Sequence, residues 1–225
     1  DPNPSPTPII VVFPADGADG DIPTPSAFLR VLVGGSVTYG NAIPAATRFV
    51  SNVTVSATGS TPVSVLTAGL GASAGYYSLT GFGSGSYTVT PAKTGGVNGS
   101  ISSFDAAKIA QHSLGPPQPQ LTGNQLLVAD VSNNGAITSF DAGMVAKFAA
   151  GPPYEPPGIG LAGSWKFSPA NRNYGFVTSY LGGEDYSALL MGEVSGNWTN
   201  SGARPFGSPR EAAADRREDA RGPVR

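Results

Sequence analysis

A polar loop with oxygen-bearing side chains at regular spacing is the part of this chain best suited to chemistry. It runs from Asp130 to Asp141 with the sequence DVSNNGAITSFD. Oxygen side chains stand at its first, third, fifth, ninth and twelfth positions, and the glycine at the sixth permits a sharp backbone turn. Hard cations such as calcium are bound by several oxygen ligands in loops of this kind. The spacing therefore predicts a compact cation-binding loop.

The end of this loop belongs to a phrase that occurs twice. Residues 103–110 have the sequence SFDAAKIA, and residues 139–146, thirty-six positions later, have the sequence SFDAGMVA. Each copy leads to a Gly-Pro-Pro stop, at Gly115 and Gly151. A carboxylate such as Asp141 at the start of a helix interacts favourably with the helix dipole. We therefore predict two loop–helix units, with helices over 104–113 and 140–149.

These paired units resemble a dockerin-type, EF-hand-like module, in which two calcium loops are each followed by one short helix. The resemblance covers residues 93–151, and Asp105 and Asp141 fit the dockerin habit of closing the loop with Asp instead of Glu. It implies Ca²⁺ as the bound ion. It also implies the following ligands for the second loop: Asp130, Ser132, Asn134, Ala136 through its carbonyl, Thr138 and Asp141.

The first loop departs from this pattern. Counting back from Asp105 puts Gly99 at the sixth position, but it puts Thr94 at the first and Gly96 at the third. One carboxylate remains, so we expect a weak site or one completed from elsewhere in the chain. Its predicted ligands are Asn98, Ser100 and Asp105, with Thr94, Glu193 and Asp185 as additional candidates. The alternative for either loop is an ordinary turn that caps a helix.

A third stretch resembles the start of the second loop. The sequence Glu193-Val194-Ser195 corresponds to Asp130-Val131-Ser132, but Trp198 stands where the loop needs its glycine. By itself this stretch is a partial site. We therefore consider Glu193, together with the acidic pair at 184–185, as a source of ligands for the incomplete first loop.

Composition limits the fold and the chemistry. The 225 residues include 31 glycines and 21 prolines, 12% charged residues and 40% hydrophobic residues, which suits a turn-rich chain with a real core. The absence of cysteine excludes disulfides, cysteine-ligated zinc and thiol catalysis. No apolar run is long enough to span a membrane. We expect an extracellular or cell-surface bacterial protein that is stabilised by calcium.

Strand patterns dominate both sides of the helical module. Predicted strands before it lie at 28–33, 36–39, 53–57, 76–79 and 86–90, and those after it lie at 165–167, 176–180 and 186–191. The phrases Gly75–Phe82 and Gly85–Pro91 resemble two adjacent strands of the carboxypeptidase regulatory-like, transthyretin-like sandwich. This resemblance implies a non-catalytic sandwich over 22–92. The predicted fold class is mainly β, with a sandwich, a small helical insert and a C-terminal β segment over 152–200.

The two ends of the chain differ from its middle. Residues 1–21 alternate proline with polar residues and include an apolar run, Ile9, Ile10, Val11, Val12 and Phe13, that is suited to a strand. Such a strand pairs with a sheet of its own molecule or adds to an open sheet edge of another copy. Residues 201–225 hold six of the thirteen basic residues, interleaved with acids, and this pattern does not favour nucleic-acid binding.

Catalytic patterns are weak. Gly71–Gly75 matches the G-x-S-x-G nucleophile motif, but Tyr76 and Tyr77 continue as a strand where that motif needs a helix. His112, the chain's single histidine, lies on a predicted helix close to Asp105. We predict a protein that is not an enzyme.

Three functions remain compatible with these patterns. The first is a self-assembling surface fibre or pilus-like subunit, a homopolymer joined by strand donation from the N-terminus. The second is an adaptor whose dockerin-like module binds a cohesin-like partner. The third is a carbohydrate-binding module that recognises glycans for a larger enzyme. A dockerin-like module placed between β segments, and not at a chain end, favours the first.

Overall fold

The computed structural model describes residues 31–45, 47–69, 74–153 and 158–200. Within these ranges the fold is mainly β, as predicted, and it contains two sheets and three helices. The strands are β1 (Leu32–Tyr39), β2 (Thr54–Gly59), β3 (Val63–Leu66), β4 (Tyr76–Thr80), β5 (Tyr87–Ala92), β6 (Trp165–Ser168), β7 (Arg172–Tyr174), β8 (Tyr180–Leu181) and β9 (Tyr186–Leu190). The helices are α1 (Ser103–Ser113), α2 (Asn124–Ala129) and α3 (Ser139–Ala150).

Each sheet contains strands from both sides of the helical module. The first has the order β4-β1-β9-β6, with β8 also paired to the start of β1, and the second has the order β3-β2-β5-β7. The link between β1 and β9 is parallel and sets Val37 opposite Tyr186. The boundaries proposed at 22–92 and 152–200 stay predictions, but strands from both ranges form one pair of sheets.

Period-two alternation explains which strand faces enter the core. In β4, Tyr77 and Leu79 are buried while their neighbours are exposed. In β5, Tyr87 and Val89 are buried in the same way. Because successive strand side chains point to opposite faces, this pattern presents one apolar face of each strand to the core between the sheets.

Two strand predictions differ from the structure. Of the strand expected at 28–33, residues 28–30 lie outside the described residues, and its end joins the strand expected at 36–39 in the single strand β1, because Gly34 and Gly35 continue the strand. A Cβ atom added at Gly35 would lie 2.5 Å from the Glu184 carbonyl oxygen. The segment around Glu184 therefore packs directly against the backbone of β1 there. The strand expected over 176–180 does not form: β7 ends at Tyr174 and β8 starts at Tyr180.

The helical module packs through small and branched residues. The predicted helices are confirmed as α1 and α3, which contact each other, and Ile109 and Val145 are fully buried. The short helix α2 precedes the second loop and was not predicted. Its Val128 and Ala129 are fully buried, so it anchors the beginning of that loop to the core.

Candidate metal site

The polar loop between α2 and α3 starts and ends on ordered helices. Asp130 is the C-terminal cap of α2, and Asp141 lies in the first turn of α3. Ile137 is partly buried and packs against the core, while the tip of the loop is exposed. Gly135 has φ of +84°, a conformation that disfavours any residue with a Cβ. The sixth-position glycine therefore has a clear backbone role.

Asp130 organises the first half of the loop. Its Oδ1 accepts hydrogen bonds from the Ser132 hydroxyl at 3.2 Å and from the Asn134 N–H at 3.1 Å. Its Oδ2 accepts from the Gly135 N–H at 2.9 Å. The Asn134 Oδ1 accepts from the Ala136 N–H at 2.9 Å. These bonds hold the side-chain oxygens of the first, third and fifth positions within one tight turn.

Asp141 closes the loop and caps the following helix. Its Oδ2 accepts from the Thr138 N–H at 2.9 Å and the Thr138 hydroxyl at 3.0 Å, which completes a capping box with the N–H of Phe140 on Thr138 Oγ1. Its Oδ1 accepts from the Ser132 N–H at 2.9 Å. Burial alone would raise the pKa of Asp141, but the hydrogen bonds from Ser132 and Thr138 together lower it, so this buried carboxyl is held as the carboxylate.

The residues of this loop fit a calcium ion. Ser132 joins the two ends, since its hydroxyl donates to Asp130 while its N–H donates to Asp141. The available donors are hard oxygens: two carboxylates, hydroxyls, an amide oxygen and a main-chain carbonyl, as calcium prefers. Lys166 contacts the loop at Asn133 Oδ1, 3.2 Å away, which is not one of the predicted ligand positions. The predicted ligands of the ion therefore lie together, while their assignment as ligands stays a prediction.

The site depends on more than acidic groups. Among the described residues, no group of three or more His, Asp or Glu side chains gathers at one place where it would hold a metal. A cation in the second loop would therefore rely on Ser132, Asn134 and the Ala136 carbonyl as well as on the two carboxylates. A cation bound in this way would cross-link the two ends of the loop.

The first predicted loop keeps only its second half. Ser102 and Asp105 form the same capping box as Thr138 and Asp141, with Asp105 Oδ2 accepting from the Ser102 N–H at 2.9 Å. Ser100 is buried, and its hydroxyl donates to the Val97 carbonyl at 2.7 Å. Thr94, the predicted first ligand, is exposed. No carboxylate is contributed by the first half of this loop.

The chain that follows β9 packs against this second half. Asp105 is fully buried, and its Oδ1 accepts from the N–H groups of Val194 at 3.0 Å and Ser195 at 2.9 Å. Asn98 supports this docking, because its side-chain amide donates to the Thr199 carbonyl at 2.8 Å. Asp185 lies against β1 instead, where it accepts from the N–H and the hydroxyl of Ser36 at 2.7 and 2.9 Å.

Glu193 is buried beside Asp105. The Tyr39 hydroxyl donates to its Oε2, and the hydroxyl of Ser195 and the N–H of Gly196 donate to its Oε1. Burial raises the pKa of Glu193, and the charge of Asp105 adds to the effect. Burial also raises the pKa of Tyr39, reinforced by Glu193. The sequence pattern pointed to Glu193, but nothing in the sequence pointed to Tyr39.

The alternative sites gain little from the structure. His112 accepts a hydrogen bond on Nδ1 from the Leu121 N–H at 3.2 Å, which gives it a local structural contact. Tyr76 begins β4 as expected, while Ser73 of the nucleophile-like motif lies outside the described residues. Trp198 is buried and packs edge to face on Trp165 at 5.1 Å between ring centroids. Trp198 therefore belongs to the core, and Trp165, which is partly buried, packs against it.

Several predictions fall outside the described residues. They include the assembly strand at residues 9–13 and the charged segment at 201–225. In the part of the chain that the structure describes, no helix is both long enough and apolar enough to cross a membrane.

The comparison with protein families identifies the helical module. Residues 97–148 match the Dockerin type I domain, which bears out the dockerin part of the resemblance over less than half of the chain. Domains of this class are non-catalytic and typically bind calcium. The carboxypeptidase regulatory-like part of the resemblance is not matched. No curated protein and no solved structure shows significant similarity to the chain.

Proposed function

We propose that this protein is a non-catalytic structural protein of the bacterial exterior, in which calcium at Asp130–Asp141 fastens the dockerin-type module to the sheets. The observation that carries the proposal is the direct attachment of the loop to strand-bearing chain. The Val131 carbonyl accepts from the Leu161 N–H, and the Val128 carbonyl accepts from the Gly192 N–H, each at 2.7 Å. Leu161 lies shortly before β6 in the chain, and Gly192 lies directly after β9.

Through this attachment, bound calcium would restrain strands as well as helices. An ion held by Asp130 and Asp141 would fix the end of α2 relative to the start of α3. The chain segments at Leu161 and Gly192 hydrogen-bond to that same region, so the ion would also restrain the ends of two sheet strands. A ligand that binds only the folded state stabilises the fold to a degree that rises with its concentration relative to its dissociation constant.

Assembly of copies through the N-terminus is the second component of the proposal. The apolar run at residues 9–13 has the composition of a strand. Among the described strands, β4 and β6 end the first sheet and β3 and β7 end the second. An added strand satisfies the free backbone groups of such an edge. The partners in this proposal are other copies of the chain.

Electron microscopy of the full chain tests the assembly directly. We expect filaments in calcium that shorten or disappear in EDTA. Deletion of residues 1–13 should leave a folded monomer with the circular dichroism spectrum of the parent and no filaments. The matched control removes residues 213–225 from the other end and should still polymerise. Filaments that persist without residues 1–13 would rule out strand donation.

An adaptor function is the second candidate, and the surface of the helical module favours it. Phe104 and Phe140 occupy equivalent places in the two repeats and are 59% and 48% exposed. Paired exposed aromatic residues are suited to a protein interface. The dockerin match makes a cohesin-like domain the partner to test.

Surface plasmon resonance with immobilised cohesin domains separates the two candidates. An adaptor should bind in calcium and lose affinity in Phe104→Ser and Phe140→Ser, while Phe176→Ser, at a residue that is 68% exposed outside the module, should bind normally. Deletion of residues 1–13 should leave this binding unchanged. Absence of binding to a broad cohesin panel would leave the structural function as the remaining proposal.

A further inference from the structure

The segment Glu193–Trp198 repeats the hydrogen bonding of the calcium-type loop although it lies in another part of the chain. In the second loop, the first-position carboxylate of Asp130 accepts from the hydroxyl of Ser132, two residues later, and from the N–H of Asn134, four residues later. Glu193 accepts from the hydroxyl of Ser195 at 2.5 Å and from the N–H of Asn197 at 3.2 Å, with the same offsets.

The closing carboxylate is matched as well. In the second loop, the Ser132 N–H donates to Asp141 Oδ1 at 2.9 Å. At the start of α1, Asp105 Oδ1 accepts a hydrogen bond from the Ser195 N–H at the same distance of 2.9 Å. The Asp105–Ser195 contact is therefore equivalent to the Asp141–Ser132 contact. Asp105 and Ser195 are ninety positions apart in the chain, whereas Ser132 and Asp141 are nine positions apart.

The half of the loop that leads into α1 completes the equivalence. Thr138 and Ser102 both cap their helices and both donate to the closing carboxylate through an N–H and a hydroxyl. Ser100 precedes Asp105 by five positions, as Ala136 precedes Asp141, so Ser100 stands where Ala136 offers its carbonyl in the second loop. Ser100 is fully buried.

Two observations point to a ligand at this place. The first is Asn197, which corresponds to Asn134. Its Oδ1 atom is buried and has no hydrogen-bond partner in the described part of the chain, although the residue as a whole is partly exposed. An unpaired buried acceptor is unfavourable, and a cation would satisfy it.

The second observation is uncompensated charge. Asp105 and Glu193 are both fully buried, and neither forms an ion pair with a described Lys or Arg residue. Arg48 reaches this segment, but it donates to the carbonyls of Gly196 at 2.5 Å and Trp198 at 2.9 Å. A cation between these carboxylates would supply the counter-charge that no described Lys or Arg residue supplies.

We propose that residues from two distant segments form a second divalent-cation site, a discontinuous calcium loop. Glu193, Ser195 and Asn197 supply the first half, and the Ser100 carbonyl with Asp105 supplies the second. The site takes Ca²⁺ because its donors are hard oxygens. It joins the segment after β9 to the start of α1, and its existence does not require that the Asp130–Asp141 loop bind calcium.

Calorimetric titration of the metal-stripped full chain with Ca²⁺ tests this site. The parent protein should bind two ions and Asp130→Ala one. Asn197→Ala should keep the loop site and weaken the other by about tenfold or more. Because Asn197 Oδ1 makes no hydrogen bond, this truncation should not unfold the metal-free protein. Glu193→Gln, which preserves volume, is the second variant and should show the same selective loss.

Asn171→Ala is the matched control, since Asn171 is exposed and lies on the connection between β6 and β7. It should bind two ions, and circular dichroism should show that every variant is folded. Folded Asp130→Ala protein that binds no calcium, or Asn197→Ala protein that binds both ions unchanged, would overturn the discontinuous site. Failure of the contiguous loop is distinguishable, because Asp130→Ala would then leave the calcium stoichiometry unaltered.

Discussion

At the residue scale, two glycines of the helical module separate a turn requirement from helix propensity. Gly135 lies in the loop at φ of +84°, whereas Gly143 lies inside α3, and an added Cβ would meet nothing within 4 Å at either position. Any effect of alanine must therefore come from the backbone. We expect Gly135→Ala to lower the free energy of unfolding by about 1 kcal/mol and Gly143→Ala to raise it by a similar amount.

Urea denaturation in EDTA measures both changes without a contribution from metal. The two variants serve as controls for each other, since both replace an exposed glycine with alanine. Shifts in the same direction would show that the left-handed turn is not what requires glycine at 135.

The residue scale also shows which part of the site can be predicted from sequence. The Asp130–Asp141 loop is contiguous, so its spacing in the chain is also its spacing in space. The partners of Asp105 are different, because Val194 and Ser195 lie 89 and 90 positions away in the chain and only the folded structure brings them to it. The resemblance of Glu193-Val194-Ser195 to the loop was visible in sequence, but the burial of Glu193 against Tyr39 was not.

At the scale of elements, the start of α3 depends on one hydroxyl. Thr138 accepts the Phe140 N–H at 3.2 Å on its Oγ1 and donates from the same group to Asp141 at 3.0 Å. Thr138→Ala removes both bonds, so we expect the free energy of unfolding in EDTA to fall by about 1 kcal/mol. Thr138→Ser keeps the hydroxyl and should stay close to the parent. Equal losses in thermal or urea denaturation of the two variants would argue against the capping role.

Packing between α1 and α3 gives the module its stability. Ile109 is fully buried on α1, whereas Leu114 at the end of the same helix is 73% exposed. Ile109→Ala should cost about 3 kcal/mol through lost burial and a residual cavity. Leu114→Ala should change the free energy of unfolding by less than about 0.5 kcal/mol. Urea titration compares them, and a small effect at Ile109 would mean that the helices do not depend on their contact.

Elements with a strong pattern were predictable and weakly patterned ones were not. The alternation in β4 and β5 and the repeated phrase of α1 and α3 gave the right element types. The missed helix α2 has only six residues, and its Leu127 is 58% exposed, so it lacks an amphipathic signal. The missed strand β3 likewise leaves Leu66 exposed at a sheet edge.

At the scale of the whole molecule, strand order is the feature that local sequence did not contain. A segment-by-segment interpretation separates the early strands from the late ones, yet β9 lies between β1 and β6. Pairing of Val37 with Tyr186 depends on complementary surfaces far apart in the chain, and no local propensity encodes it. The helical module is consequently a long connection from β5 in the second sheet to β6 in the first, and each sheet contains strands from both sides of the module.

This topology predicts that calcium stabilises the sheets and the helices together. Because the module is bonded to chain next to β6 and β9, loss of the ion should weaken both structures. Calcium at about one hundred times its dissociation constant should add about 2.7 kcal/mol to the free energy of unfolding for each site.

Thermal unfolding followed by far-ultraviolet circular dichroism and by tryptophan fluorescence should show a single coincident transition that moves to lower temperature in EDTA. Fluorescence reports on the packing of Trp165 with Trp198, whereas the helices dominate the far-ultraviolet signal. An EDTA-induced shift in the helical signal alone would show that the module unfolds independently of the sheets, and the proposal that calcium fastens the module to the sheets would then be wrong.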